Sequence, residues 1–390
     1  MKSKTARILV VGLVVALLVS LLSGCSGGKS QTAPTPAKPE KKEEKEPIKI
    51  GTVGPLTGNA ATYGVSTKKG VEIAVDEVNA EGGINGQQVK LISEDSKGDQ
   101  TEAANATRKL VEQDKVAAII GAVLSSETFA AGPIANDGKV PMMSPSSTAP
   151  GIPDIGPFVF RNCISDNVQA VQVAEYAIKE LKLKRFAIMY TNNDYGVALK
   201  NAFEAKAKEL AQVVGIEAYN DGETNFSVQL SKLKAKSPDA LFIGGYYTEV
   251  SKIAQQAKQL GMKVQLLGGD GFYSDKLVQL GGDAVEGAVF SAGFYSGDTS
   301  PDVVKFVKAY KAKFNNEEPD MFAAQAYDAA KIILTAMKKA GTAGQALRDA
   351  IAATKDFPGI TGTTSFAENG DAVKQIVILK VDKGKFVRVK

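Results

Sequence analysis

Ile48-Lys49-Ile50-Gly51-Thr52-Val53-Gly54-Pro55-Leu56-Thr57-Gly58 is a short β-branched run that empties into a loop of small residues. The stretch 64–79 behind it carries apolar residues at helical spacing, so the chain opens as strand, loop, helix. Outward from there the pattern repeats. Runs at 89–93, 116–123 and 140–144 read as buried strands, with helical patterns over 100–113 and 128–137 between them. Such alternation builds a parallel sheet covered by helices on both faces. A second set follows, with strands at 185–190, 213–219, 240–244 and 264–267 and helices over 167–181, 197–211, 227–235 and 249–260. The chain then continues with a strand at 285–294, helices over 302–314, 321–340 and 342–354, and strands at 361–366 and 375–381. Two sheets, and so two α/β lobes, are expected, because a body of this length exceeds what one core usually holds. Gly82-Gly83-Ile84-Asn85-Gly86 marks a reversal after the first helix, since Gly and Asn accept positive φ.

Composition narrows the chemistry. The 390 residues contain no His, which removes Ser-His and Cys-His nucleophile pairs, His-ligated metals and the usual proton shuttle near neutral pH. Neither metal nor cofactor is expected, and an enzyme is not expected. The net charge of +4 resides in residues 1–46, which hold eight basic and four acidic side chains, leaving 47–390 balanced. A neutral body lacks the footprint that phosphate backbones require, so nucleic acid is not an expected partner.

The first 46 residues read as an address and an anchor. Three basic residues precede the apolar run 8–22, whose length suits a signal peptide better than a membrane span. It ends in Leu22-Ser23-Gly24-Cys25, which resembles a bacterial lipobox; residues 1–24 would be removed and Cys25 would carry the lipid. The competing reading is an uncleaved helix that anchors the chain by itself. Residues 26–47 hold Gly, Ser, Pro, Lys and Glu with no aliphatic side chain larger than Ala, a tether that spans roughly 25 Å. With Cys25 assigned to lipid, Cys163 is left alone and reads as a small packing residue rather than an activated thiol.

Ligands of open parallel sheets sit beyond the carboxyl ends of the strands. The first strand leads to Tyr63, through glycines that lack the Gly-Lys-Ser/Thr or G-x-G-x-x-G of a nucleotide cradle. The next strand ends deliver Leu124-Ser125-Ser126-Glu127 and Ser144-Pro145-Ser146-Ser147-Thr148. Hydroxyls with free N–H groups at a helix start make a corner for a carboxylate, although Ser and Thr also cap helices with no ligand present. In the second set the strand ends deliver Tyr195, Tyr246 and Gly268-Gly269-Asp270-Gly271. An aspartate among tyrosines suits an ammonium group, while Asp-Gly is equally an ordinary turn.

In order along the chain, Gly54-Pro55-Leu56-Thr57-Gly58 with Tyr63-Gly64, Gly82 to Gly86, Gly121 to Ser126, Ser144 to Pro150, Asp194-Tyr195-Gly196, Gly244-Gly245-Tyr246 and Met321 to Tyr327 resemble the branched-chain amino acid binding proteins of ABC importers. These are periplasmic binding proteins of type I. The resemblance implies a clamshell of two Rossmann-like lobes, parallel sheets flanked by helices and joined by three crossovers. Arg161-Asn162 with Ser165-Asp166 matches the first crossover, placing one lobe at 47–166 plus 294–372 and the other at 167–293 plus 373–390. It further implies that Ser125 and Thr148, with backbone groups near Ser146, hold a ligand's α-carboxylate, that Asp270, Tyr195 and Tyr246 face its α-ammonium, and that Tyr63, Leu124 and Phe322 line its side-chain pocket. Three positions depart from the family pattern: Asp270 stands where Glu is frequent, Ser146 where Ala is common, and Glu127 where a small polar residue is usual. The resemblance implies an extracytoplasmic monomer, held to the membrane by lipid, that delivers leucine, isoleucine or valine to a permease. The alternative is a sensor of the same fold for an aromatic acid, an amide or another small carboxylate.

Overall fold

The computed structural model describes residues 45–390; the expected signal peptide, Cys25 and the tether up to Glu44 lie outside the described residues. Five strands make the first sheet: β1 (Ile48–Gly54), β2 (Val89–Asp95), β3 (Ile119–Ile120), β4 (Met142–Ser144) and β5 (Val159–Arg161). Their order is β2-β1-β3-β4-β5, all parallel, with β1 against β2 from Ile48 opposite Val89 to Gly54 opposite Asp95. Helices α1 (Ala61–Ala80), α2 (Gln100–Arg108) and α3 (Ser125–Asp137) connect these strands.

The second sheet begins with β6 (Arg185–Thr191), β7 (Gln212–Tyr219), β8 (Ala240–Gly244), β9 (Gln265–Gly268) and β10 (Val289–Ala292). Between them run α4 (Asp166–Lys179), ahead of β6, then α5 (Asp194–Leu210), α6 (Ser227–Lys234), α7 (Tyr247–Gln259) and α8 (Asp275–Gly281). Phe186, Ala187, Ile188 and Met189 on β6 are all fully buried, the signature of a strand covered on both faces. After β10 the chain forms α9 (Pro301–Lys313), α10 (Met321–Ala340) and α11 (Gly344–Ala352). A small antiparallel sheet of β11 (Phe357–Gly359), β12 (Gly362–Phe366) and β13 (Ala372–Val373) follows, and β14 (Val377–Asp382) and β15 (Lys385–Arg388) complete the second sheet.

The chain therefore passes between the two sheets three times, at Arg161 to Asp166, after Ala292, and between Val373 and Val377. The outer crossings are tied together. Arg161 donates from Nε and Nη2 to the two carboxylate oxygens of Asp371 at 2.6 and 2.7 Å, and Lys374 Nζ donates to Asn162 Oδ1 at 3.0 Å.

In the first lobe, Ile50, Val71, Ala74 and Val75 pack with Ala326, Ala330, Ile333 and Met337, which brings α10 back onto α1 and β1. Burying each large aliphatic side chain contributes about 1.5–3 kcal/mol. Gly70 permits the close approach of these helices, because a Cβ there would lie 2.0 Å from the Ala323 carbonyl oxygen.

Several elements differ from the sequence expectation: the pattern does not mark β5, β11, β13 or β15, and the run 285–294 keeps only Val289–Ala292 as strand. The run 116–123 contributes only Ile119–Ile120 to the ladder, because serine hydroxyls take over the carbonyls beyond it: Ser144 Oγ donates to Ala122 O and Ser146 Oγ to Val123 O, both at 2.7 Å. The second sheet is mixed rather than parallel throughout. β14 runs antiparallel to β10, and β15 folds back on β14 with Asp382 opposite Lys385. Lys383 and Gly384, with φ of 52° and 72°, make a two-residue turn of the type that suits twisted hairpins.

Candidate ligand site between the lobes

Each wall of the site is built at strand ends. On the first lobe, α3 starts immediately after Leu124, and the Glu127 carboxylate folds back to accept the Leu124 N–H at 3.2 Å and the Ser96 hydroxyl at 2.6 Å. Burial pushes the Glu127 carboxyl up to about 7. This holds Ser125 at the positive end of the helix, where an anion is favoured. Ser125 Oγ accepts the Ala149 N–H at 3.2 Å, tying the helix start to the loop that carries Ser146. Tyr63 stands in the first turn of α1. Phe322 stands in the first turn of α10, capped by Asp320 Oδ1, which accepts the Ala323 N–H at 2.9 Å.

On the second lobe, Asn193 Oδ1 accepts the Gly196 N–H at 3.0 Å and fixes the start of α5, bringing Tyr195 inward. Tyr246 precedes α7, and Asp270 follows β9 in a single helical turn, Asp270–Phe272. Asp270 is 4% exposed. Its Oδ1 accepts the Tyr195 hydroxyl at 2.8 Å and its Oδ2 the Gln169 amide at 3.3 Å, while Tyr195 OH accepts the Gly271 N–H at 2.8 Å. Burial, partly offset by these donors, pushes the Asp270 carboxyl up to about 6. Burial, and then the Asp270 charge, raise the Tyr195 hydroxyl well above the ordinary tyrosine value, so it remains a donor.

These walls meet. Tyr63, Leu124, Ser125, Ser146, Tyr195, Tyr246, Asp270 and Phe322 line one small cavity with Val123 and Gly271. Its volume in this closed form is about 10 Å³, room for about one water, so a ligand of amino-acid size enters only when the lobes part. Tyr63 stacks on Phe322 with ring centres 4.2 Å apart, and Tyr195 stacks on Tyr246 at 5.0 Å, which gives the cavity two aromatic sides. Its lining contains no Lys or Arg, so the positive pole is formed by the α3 terminus and hydroxyls, and Asp270 is its only carboxylate. A larger, open hollow lined by Tyr273, Asp275, Lys311, Glu318 and Asp320 has none of the nine expected residues on its wall, and its Lys311 pairs with Glu318.

The lobes are closed over this cavity. Tyr63 OH donates to the Gly271 carbonyl at 2.5 Å and accepts the Tyr247 N–H at 3.2 Å. Nearer the rim, Thr248 Oγ1 donates to Asn59 O at 2.8 Å and Ser126 Oγ to Asp194 Oδ2 at 2.6 Å.

Thr148 is the ninth expected residue, and it does not line the cavity. It is fully buried behind the wall, its carbonyl accepting Arg161 Nη1 and the Asp166 N–H at 2.9 Å each. Reasoning from the sequence missed Arg161 and Gln169 as supports of the site. Arg161 also donates to the Ala149 carbonyl at 2.9 Å and so orders the loop that closes the anion corner. A signal existed for Arg161, an arginine ending an apolar strand run. Gln169, in a helix that reads as amphipathic, had none. Cys163 is a free, buried thiol that donates to the Ser147 carbonyl at 3.3 Å, and burial pushes its pKa far up, so it packs as expected.

Comparison with known proteins agrees with this fold. Residues 47–385 match the periplasmic binding protein family. A Leu/Ile/Val-binding protein of Rhizobium johnstonii is 33% identical over 87% of this chain and 93% of its own length. A leucine binding protein from Thermotoga maritima superposes with a TM-score of 0.84 at 36% identity, covering 88% of this chain and 98% of its own. A branched-chain amino acid transporter substrate binding protein from Streptococcus pneumoniae, solved with isoleucine, gives 0.83 at 35% identity, covering 88% and 100%.

Proposed function

The chain belongs to the periplasmic binding protein family, type I, and we propose that it captures a branched-chain amino acid, leucine, isoleucine or valine, between its lobes for an ABC permease. The family is one of extracytoplasmic solute-binding proteins and not an enzyme class. The observation that carries the ligand reading is the cavity whose opposite walls offer opposite poles, Ser125 at the start of α3 with Ser146 in the adjoining loop on one side and Asp270 with Tyr195 on the other. A buried carboxylate favours a ligand with an ammonium group over a plain organic acid. The aromatic sides and Leu124 take an apolar side chain.

In this reading the amino acid docks on the hydroxyl-rich lobe, and Asp270, Tyr195 and Tyr246 then close over it. A ligand shifts such an equilibrium only by its differential affinity for the closed state, and contacts divided between lobes supply that difference. Closure reports occupancy to the permease. The lobes are taken as 47–166 with 294–372 and 167–293 with 373–390, and the mature protein as a monomer attached to the membrane by lipid on Cys25. A thermal-shift panel of the common amino acids and small organic acids tests the ligand assignment, since a ligand that binds only the folded state raises Tm. Leucine, isoleucine or valine should give the largest shifts; a response to organic acids alone would refute the reading.

A further inference from the structure

The three crossings between the lobes all run past α10. Its Gln325 carbonyl accepts the Asn162 side-chain amide of the first crossing at 2.8 Å. The Gln325 side chain lies against Gly293 of the second, where a Cβ would stand 2.3 Å from Nε2. One turn on, Asp328 faces Lys374 of the third, with Oδ2 and Nζ 4.0 Å apart.

These two side chains form a buried charge pair away from the ligand cavity, 2% exposed at Lys374 and 1% at Asp328. Both are engaged. Lys374 Nζ donates to Asn162 Oδ1 at 3.0 Å and to the Thr361 hydroxyl, which in turn donates to Asp328 Oδ2. Asp328 Oδ1 accepts the Ile360 N–H at 3.0 Å and Oδ2 the Thr361 N–H at 2.9 Å. A buried ion pair adds little stability of its own, because desolvation offsets most of the attraction; its better attested use is to fix one arrangement of the parts it joins.

What this pair joins is one-sided. Asn162 follows β5, and Asp328 and Thr361 lie on α10 and beside β12, so every partner of Lys374 stands on the first-lobe side. Two residues later the chain has changed sides: Ile376 packs against the second-lobe cluster that holds Val173, Ile188 and Ile378. Between them stands only Gln375, exposed and outside any strand or helix.

We infer that Lys374 is a hinge pin: it fastens the third crossing to the first lobe through Asp328 and Asn162, and confines the swivel of that crossing to Gln375. This rests on reading the lobes as parts that open and close around a ligand, and it places Lys374 with the first lobe. A swivel one residue long limits how far and in which directions the lobes part. A crossing freed of the pin bends over several residues and spreads the protein over more open forms, and apparent affinity falls with the share that is ready to close.

The test reads interlobe distances in the mature protein, with and without leucine, by double electron–electron resonance between spin labels at Thr101→Cys and Thr224→Cys. Both threonines are exposed, one on each lobe, and the native Cys163 is buried. Glycine, which frees the backbone most, is then placed on either side of the pin. Without leucine, Gln375→Gly should widen the distance distribution by about half or more, while Val373→Gly, at an exposed position before the pin, should leave it at wild-type width. Lys374→Met should widen it as well and lower leucine affinity about threefold or more. If Lys374→Met does not fold, the two glycine variants, which keep the pin, decide alone. Equal widths for Gln375→Gly and Val373→Gly, or a folded Lys374→Met of wild-type width, overturn the inference. A wild type whose distances do not respond to leucine refutes the closure reading beneath it and the inference with it, a result visible before any variant is measured.

Discussion

The two walls of the cleft hold their polar groups in different ways. The first-lobe wall is neutral, made of Ser125, Ser146 and a helix start, and its parts are tied into their own lobe: Ser125 to Ala149, Ser146 to the Val123 carbonyl. The second-lobe wall concentrates a full charge on Asp270, buried and supported by Tyr195 and Gln169. Dispersed dipoles are inexpensive to keep without a ligand, whereas a buried carboxylate is not. The first wall can therefore be preformed while the second depends on the ligand's positive charge, so losses on the two sides should differ in size.

The largest effect should come from Asp270→Asn. Leaving a buried ammonium without its counter-charge costs about 2–5 kcal/mol, so leucine affinity by titration calorimetry should fall by about 30-fold or more. A loss no greater than that of a serine substitution would erase the contrast between the walls.

The pH dependence sharpens it. The Asp270 carboxyl is raised from its ordinary 3.8 to about 6 in the folded protein. Between these values the folded state binds more protons than the unfolded state, so this group's contribution to stability is greatest below about pH 4, is lost as pH rises towards 6, and is flat above. Ligand binding has the opposite sign, since the ammonium needs the ionised form. Leucine affinity should therefore plateau above about pH 6 and decline below it by up to about tenfold per pH unit, a decline absent in Asp270→Asn apart from the contribution of other groups.

Tyr63→Phe separates closure from charge. It deletes the hydroxyl that bridges Gly271 and Tyr247 and leaves the ring on Phe322. Affinity should fall about fivefold to tenfold, at about 0.5–0.7 kcal/mol for each of the two lost hydrogen bonds, and small-angle scattering should show a larger open population. Ser125→Ala should cost less, about threefold to tenfold, because backbone donors of α3 remain. At the bottom of the scale, Lys258→Ala removes only an exposed pair with Asp283 and should change affinity by less than about twofold.

Much of this was legible in the sequence, and the failures have physical causes. β1 and α10 were readable to the residue, because a β-branched run bounded by turn residues and a long amphipathic stretch each satisfy one periodicity only. Strand β3 was overestimated because periodicity cannot register that serine side chains, not a neighbouring strand, take the Ala122 and Val123 carbonyls. The closing hairpin was missed because Lys383-Gly384 is a weak turn signal beside Asn-Gly. Eight of the nine expected site residues share one cavity, since strand ends of a parallel sheet converge by topology. Thr148 fell behind the wall and Gln169 escaped notice for one reason: which face of a loop or helix turns to the ligand depends on packing partners outside the element, Arg161 and Asp166 for Thr148, Asp270 and Ser291 for Gln169.

A crystal structure of the mature protein grown with leucine tests the central claim most directly. The leucine carboxylate should lie at the start of α3, within hydrogen-bond distance of Ser125, and its ammonium nitrogen within that distance of Asp270. A ligand bound in the reverse orientation, or seated in another hollow with Asp270 still satisfied only by Tyr195 and Gln169, would contradict it.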